Sequence, residues 1–144
     1  LGELFYMTTL VYIGANQGHT LWGMFDKYDD VYVFEPDPEM FEVLKKTYKQ
    51  FEWVTLINAA CSLEDGEADF YVTPNRVSSS LSDASENEKS LGCPDILKKI
   101  KVKTINLLNF FKENNIEYID FYMSDAQGSD LNILKTIDEF VVDK

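Results

Sequence analysis

The stretch Val11-Tyr12-Ile13-Gly14-Ala15-Asn16-Gln17-Gly18 reads as a buried strand running straight into a glycine-bracketed turn and then a helix. Gly14 can adopt backbone angles closed to other residues, and neither glycine carries a side chain, so the main chain there can approach a bound molecule closely. A helix starting near Gly18 points its unpaired N–H groups at the same spot. A second apolar run, Val31-Tyr32-Val33-Phe34, ends in Glu35. That carboxylate follows Gly14 by about twenty residues, the spacing at which an acidic residue on the next strand holds a ribose hydroxyl pair.

Together the two features imply a nucleoside ligand. The dinucleotide fingerprint needs Gly-x-Gly-x-x-Gly, and this loop has Ala15 and Asn16 where its middle glycine falls. Pyrophosphate is therefore disfavoured. A nucleoside without phosphates remains, and S-adenosylmethionine is the commonest such cofactor. Each feature also has a plain reading on its own: the loop as a tight turn without a ligand, Glu35 as a solvated carboxylate at a strand end.

Working outward, 144 residues with 45% hydrophobic and 14% aromatic content suffice for one globular core, and a single domain over residues 1–144 is expected. The net charge of −12, with 13 basic residues against 25 acidic ones, disfavours nucleic acid, whose binding needs clustered Lys and Arg. It disfavours an anionic membrane surface for the same reason. No apolar run reaches the roughly 20 residues needed to cross a bilayer and no signal-peptide pattern is present, which makes the cytoplasm the default location. Cys61 and Cys93 are far apart, lack partners at metal-ligand spacing and are too few for a disulfide framework, so they read as ordinary thiols and no metal site is expected. A start at Leu1 rather than Met hints at a piece of a longer product.

Along the chain, Leu1 to Met7 has no clean period, and Thr8 to Ile13 is β-branched and apolar on both faces, as in a central parallel strand. Gly18 to Tyr28 is expected to be a helix with Leu21, Trp22 and Phe25 on one stripe. The strand Asp30 to Glu35 closes at Pro36-Asp37-Pro38, where Asp37 can cap a helix and Pro38 occupies its first position. That helix runs to about Gln50 with Phe41, Leu44, Tyr48 and Phe51 on its buried stripe. Trp53 to Ile57 is a third strand. Strand, helix, strand, helix, strand specifies an α/β fold with a parallel sheet and helices on both faces.

Ala68 to Thr73 reads as a strand able to pair with the alternating Ile100 to Thr104. Between them, residues 74–94 are rich in Ser, Asn, Asp and Glu, and read either as a mobile surface loop or as a lid on the substrate side. Asn106 to Asn114 is helical by pattern, Glu117 to Met123 is a strand, and Ser129 can cap a helix carrying Leu131, Leu134 and Ile137.

Taken together, Val11 to Gly18, Phe34-Glu35-Pro36-Asp37-Pro38, Asn58 to Ser62, Ser78 to Leu81 and Asp120 to Leu134 resemble the FkbM family of S-adenosylmethionine-dependent methyltransferases. The resemblance implies a Rossmann-like class I methyltransferase fold and transfer of a methyl group to a hydroxyl oxygen, on a sugar or another small molecule. It further implies that Gly14, Ala15, Asn16 and Gly18 line the methionine and ribose, Glu35 and Pro36 the ribose hydroxyls, Asn58 and Ala60 the adenine, and Asp125, Gln127 and Gly128 the rim near the methyl. Three positions depart from the family pattern. Tyr12 stands where an acidic residue is usual, Met123 where a lysine is common, and Asp130 where Glu is usual. The last strands of a full class I sheet have no counterpart in the sequence, and four parallel strands would have to form the crevice.

Transfer to an alcohol needs a base. Asp125 is the first candidate by position and His19, the one histidine, the second. Asp125 can equally cap the turn that follows it, and His19, expected at a helix start where the dipole favours the neutral ring, can equally be a surface residue without a task. Three functions compete on these residues: a methyltransferase, a cofactor-binding or interaction module without catalysis, and a nucleotide-binding oxidoreductase, which the absent glycine disfavours.

Overall fold

The computed structural model describes residues 6–76, 79–81 and 96–138. Their elements in order are β1 (Thr9–Ile13), β2 (Asp30–Phe34), α1 (Pro38–Tyr48), β3 (Val54–Ile57), β4 (Ala60–Ser62), β5 (Gly66–Val72), β6 (Lys98–Asn106), α2 (Leu107–Glu113), β7 (Phe121–Ser124) and α3 (Asp130–Thr136). Four strands form a parallel sheet in the order β3-β2-β1-β7, and β4-β6-β5 form a second, smaller sheet. In the second sheet β5 runs antiparallel to β6 along its whole length, the pairing expected from the alternation of Ile100 to Thr104.

β1 explains the arrangement. All five of its residues are buried, and because side chains alternate along a strand it must be covered on both faces. Val11 and Ile13 join Phe34, Leu107, Phe111 and Ile133 in one core, under α2 and α3. Leu10 and Tyr12 join Val31, Val33, Leu44 and Tyr48 in the other, under α1. This is the α/β, Rossmann-like architecture with helices on both faces of a parallel sheet. The chain adds β2 and β3 on one side of β1 and then returns to place β7 on the other, so strand order reverses between β1 and β7. In open α/β sheets that reversal leaves a crevice beyond the strand ends.

α1 is capped as its sequence suggests: the Asp37 side chain accepts from the Glu39 N–H at 3.0 Å, with Pro38 at the first helical position. Its fully buried face is Met40, Leu44 and Tyr48, and Phe41 and Phe51 pack at the margin of the same core. α2 is capped by the Asn106 side chain, which accepts from the Asn109 N–H at 3.1 Å.

Two expectations need correction. Gly18 to Tyr28 is not an α-helix but two single 3₁₀ turns, Leu21–Gly23 and Phe25–Lys27, broken at Met24 with φ −140°. Gly23 weakens helix propensity there, and the Phe25 carbonyl is taken by the Trp53 indole N–H at 3.0 Å. The phenyl ring of Phe25 sits in a cluster with Tyr48, Phe51 and Trp53, with centroids 4.7 to 5.9 Å away, while Trp22 turns outward, 57% exposed. Of the expected Leu131, Leu134 and Ile137, Ile137 is buried and Leu134 packs at the margin of the core, whereas Leu131 is 62% exposed and Ile133 takes its place. Ser129 holds the N-cap position of α3 without a side-chain capping bond. β4 carried no expectation, since three residues are too few to show a period; it follows β3 after Asn58 and Ala59 and pairs parallel with β6.

Of the stretch 74–94, residues 77, 78 and 82–94 lie outside the described residues, as do 1–5 and Cys93. Within it, Ser80 exchanges both backbone hydrogen bonds with Tyr71, at 2.8 and 3.1 Å, and so extends the second sheet. Among the described residues, no helix is long and apolar enough to cross a membrane.

Candidate functional site

A cavity of about 320 Å³ opens at the carboxyl ends of β1 and β2, beside the reversal point. That volume falls in the range of small-molecule sites, roughly 300 to 1,000 Å³. The β1 loop forms one wall. Its first turn hangs from the next strand, since the N–H groups of Gly14 and Ala15 both donate to the Phe34 carbonyl, at 2.9 and 3.2 Å. Gly14 and Gly18 have φ of +73° and +76°, conformations that side chains disfavour. Both glycines are also required by packing. A Cβ on Gly14 would lie 2.2 Å from the Asp125 carbonyl oxygen, and one on Gly18 would lie 2.6 Å from Leu44 and 2.7 Å from Tyr48. The bare face of Gly14 is thus filled by the neighbouring strand end rather than left open for a ligand.

Behind the loop, the Tyr48 hydroxyl donates to the Gly18 carbonyl at 2.6 Å in a buried setting. Tyr48→Phe is expected to cost about 1 kcal/mol, read as a lower urea midpoint at unchanged slope.

The second wall is the corner after β2. Glu35 is 5% exposed, and its two oxygens are shared between loops: Oε1 accepts from the Asp37 N–H at 2.8 Å and Oε2 from the Asn16 N–H at 2.6 Å. Burial pushes its pKa up to about 7; the Asp37 and Asn16 N–H bonds pull the other way, and the nearby Asp37 carboxylate adds to the rise. An ionised carboxylate offers about four acceptor sites, so each oxygen keeps one beyond the N–H it already holds. Asn58 braces this corner from outside, its amide donating to the Glu35 and Pro36 carbonyls at 2.8 and 3.2 Å.

The third wall comes from β7. The Asp125 N–H donates to the Ile13 carbonyl at 2.9 Å, which continues the β1–β7 ladder into the loops. The loop beyond is held by Asp130, whose Oδ1 accepts from the Ser124 hydroxyl and, at 2.7 Å, from the Ala126 N–H. Gln127, at φ +50°, donates to Asp125 Oδ1 at 2.5 Å. The second sheet closes the remaining side with Ala60, Cys61, Phe70 and the turn at Asn75 and Arg76. Cys61 is free and buried, and burial pushes its thiol well above the ordinary range, so it remains protonated in the wall.

Of the residues expected at a site, Gly14, Ala15, Asn16, His19, Glu35, Pro36, Ala60 and Asp125 all line this one cavity. Gly18, Asn58 and Gln127 do not line it and instead hold the lining in place through the bonds above. His19 is exposed at the mouth. With two three-residue 3₁₀ turns after it in place of an α-helix, the expected action of a helix dipole on its ring is withdrawn, as is the helix N-terminus aimed at the loop.

Sequence reading missed Arg76, Tyr12 and Phe70 as parts of the wall. Arg76 carried a usable signal, being the one arginine in the chain. Its Nη1 donates to both oxygens of the buried Asp37, at 2.9 and 2.7 Å, and its Nη2 lies 2.6 Å from Glu39. Tyr12, 6% exposed, is one of the lining residues, and burial raises its phenol. Among the described residues, no group of His, Cys, Asp and Glu could hold a metal ion.

The Methyltransferase FkbM domain family matches the chain over residues 13–144. No curated protein and no solved structure matches it.

Proposed function

The chain belongs to the Methyltransferase FkbM domain family, and from that premise we propose that it binds S-adenosylmethionine in the cavity beside Glu35 and transfers its methyl group to a hydroxyl oxygen of a small molecule or sugar. The observation that carries this reading is the buried Glu35 carboxylate in the cavity wall, fixed by two backbone N–H groups and retaining one acceptor site on each oxygen. A vicinal diol presents two hydroxyl donors, which suits those sites, and the apolar part of the lining, Ile13, Pro36, Ala60, Phe70 and Leu81, suits the face of an adenine. The net charge of −12 supports a small neutral acceptor over nucleic acid or an anionic membrane.

The cofactor would supply an electrophilic methyl on a sulfonium. The residues have a narrower task, to align an acceptor oxygen, exclude water and take one proton. Asp125 sits in the wall with Gln127 orienting its carboxylate, and is the first choice of base. His19 at the mouth is the second. Glu35 holds the sugar and takes no part in removing the proton from the acceptor.

Calorimetry with S-adenosylmethionine tests the binding, and transfer of a labelled methyl group tests the chemistry. Glu35→Ala removes charge-assisted hydrogen bonds worth about 1.5 to 3 kcal/mol, so the dissociation constant should rise roughly ten- to a hundredfold. Undiminished affinity in that variant would count decisively against this placement of the cofactor.

A second reading, a module that binds the cofactor without turning it over, has one observation in its favour. Tyr12 presents a buried phenol in the cavity wall where the family resemblance leads one to expect a carboxylate. Binding without label transfer to any hydroxylated acceptor in a cell extract would select it.

A further inference from the structure

Four residues from three parts of the chain close a circuit of hydrogen bonds at the edge of the cavity. The Asn16 N–H reaches Glu35 Oε2 at 2.6 Å, and the Asp37 N–H reaches Glu35 Oε1 at 2.8 Å. Arg76 Nη1 grips Asp37, and the Asn16 side-chain amide donates to the Arg76 carbonyl at 2.7 Å, which completes the loop. Two of the four, Asn16 and Arg76, are non-glycine residues at positive φ, +53° and +56°. Each is held in that conformation where its backbone or amide must meet the other. The same turn of α1 is gripped a second time, since Glu39 bonds both Arg76 and Lys98 of β6, at 2.6 and 2.9 Å.

The circuit joins the first sheet to an element with which it shares no strand pairing. Asn16 belongs to the loop after β1 and Glu35 and Asp37 to the corner after β2, whereas Arg76 belongs to the turn after β5 in the second sheet. Asp37 is 2% exposed and already caps α1 through Oδ1, so its second oxygen, shut off from water, needs a donor from the protein. Only Arg76 is seen to meet it among the described residues. A lysine in its place would have one nitrogen, able to face Asp37 or Glu39 but not to span both with a planar fork.

We propose that Arg76 is a positioning residue that locks the second sheet onto the Asn16–Glu35–Asp37 corner, and so holds the sugar-binding geometry ready before a ligand arrives. This rests on the reading of Glu35 as the sugar-binding carboxylate. Opening the lock lowers the fraction of molecules in the binding-competent form, and apparent affinity falls by that same fraction. Once ligand is bound the corner is re-formed, so the chemical step is unaffected.

The test uses the full chain with Arg76→Lys, which keeps the charge, and Arg76→Asn, which tolerates positive φ but removes the fork. In the unliganded protein, amide exchange at Asn16 should accelerate about tenfold, the equivalent of one charge-assisted hydrogen bond, while exchange at the buried Leu44 amide is unchanged. The dissociation constants for S-adenosylmethionine and for adenosine should both rise by that factor. KM for the cofactor should follow them, with kcat held. Arg76→Lys with wild-type exchange at Asn16 and wild-type affinity overturns the lock, as does equal acceleration at Asn16 and Leu44, which would mean general loosening of the fold. A kcat loss at constant KM overturns it as well. A wild-type chain that binds neither S-adenosylmethionine nor adenosine overturns the proposed function instead, and the exchange comparison then still decides the part played by Arg76.

Discussion

Gly14→Ala is expected to remove a large part of the stability of the chain, because the added methyl has nowhere to go. It would lie 2.2 Å from the Asp125 carbonyl oxygen and 2.8 Å from its carbon, and both atoms are backbone held in the β1–β7 ladder by the Asp125 N–H to Ile13 bond. The Gly14 nitrogen is tied to Phe34 on the other side, so the loop cannot retreat without breaking that bond. A residue with a side chain at φ +73° costs about 1 to 2 kcal/mol, and forced overpacking adds about 1 to 3 kcal/mol. Together they come to about 2 to 5 kcal/mol, a large fraction of the margin of a small domain, about 5 to 15 kcal/mol. Urea unfolding measures the loss directly. A Gly14→Ala midpoint close to that of the wild type would show that the loops after β1 and β7 are not in contact.

The second large effect is a dependence on pH centred on Glu35. Its pKa is about 7 in the folded chain against 4.5 for an ordinary glutamate, so the folded state binds a proton more tightly than the unfolded one. The stability this contributes is complete below about pH 4.5, falls as pH rises towards 7, and is lost above it. Over that window the loss is about 3 kcal/mol. Unfolding of the ligand-free protein followed from pH 5 to 8 reads it, and Glu35→Gln should remove this part of the slope. Other carboxylates, among them Asp29, Asp65 and Asp69, are lowered by their hydrogen-bond donors and act in the opposite direction at more acidic pH. Their transitions fall below the Glu35 window.

Cofactor binding should show the converse. Sugar hydroxyls donate to the ionised carboxylate, so affinity should rise about tenfold per unit from pH 5 to 7 and level off above. Near pH 6 binding should release a proton, measurable as a heat that changes with the ionisation enthalpy of the buffer. Affinity independent of pH would mean that the ligand does not meet Glu35. The charged groups around this carboxylate are Asp37, which bonds it through the backbone, and Arg76, whose guanidinium is committed to Asp37 and Glu39.

The sequence was readable where one local cause decides the outcome. β1 and β2 are apolar runs that only a two-sided sheet can bury, and the cap Asp37 with Pro38 marks the start of α1 without ambiguity. The spacing from Gly14 to Glu35 located both sides of the cavity. Residues 18–28 were misread because Leu21, Trp22 and Phe25 satisfy a helical stripe, whereas the deciding contact, the Trp53 indole on the Phe25 carbonyl, is made from a distant strand. One position of α3 was misplaced for a similar reason. Leu131 and Ile133 are equally apolar, and only the core formed with Leu107 and Phe111 selects the second. Arg76 lies in a polar stretch without a period, and its partner Asp37 belongs to another layer of the fold. Gly14 was singled out because a bound molecule could approach its missing side chain, whereas the occupant of the space is the Asp125 backbone, from the far end of the fold.

That last contact bears on how the protein is made. β1, β2 and β3 leave the ribosome long before β7, and until Phe121–Ser124 emerges β1 carries an unpaired edge along its full length. Such an edge is a template for another nascent chain. Docking of β7 pairs that edge, passes the open edge outward to β7 itself, and completes the floor beneath Gly14. Ligand-binding competence and the covering of the central strand are acquired in the same late step.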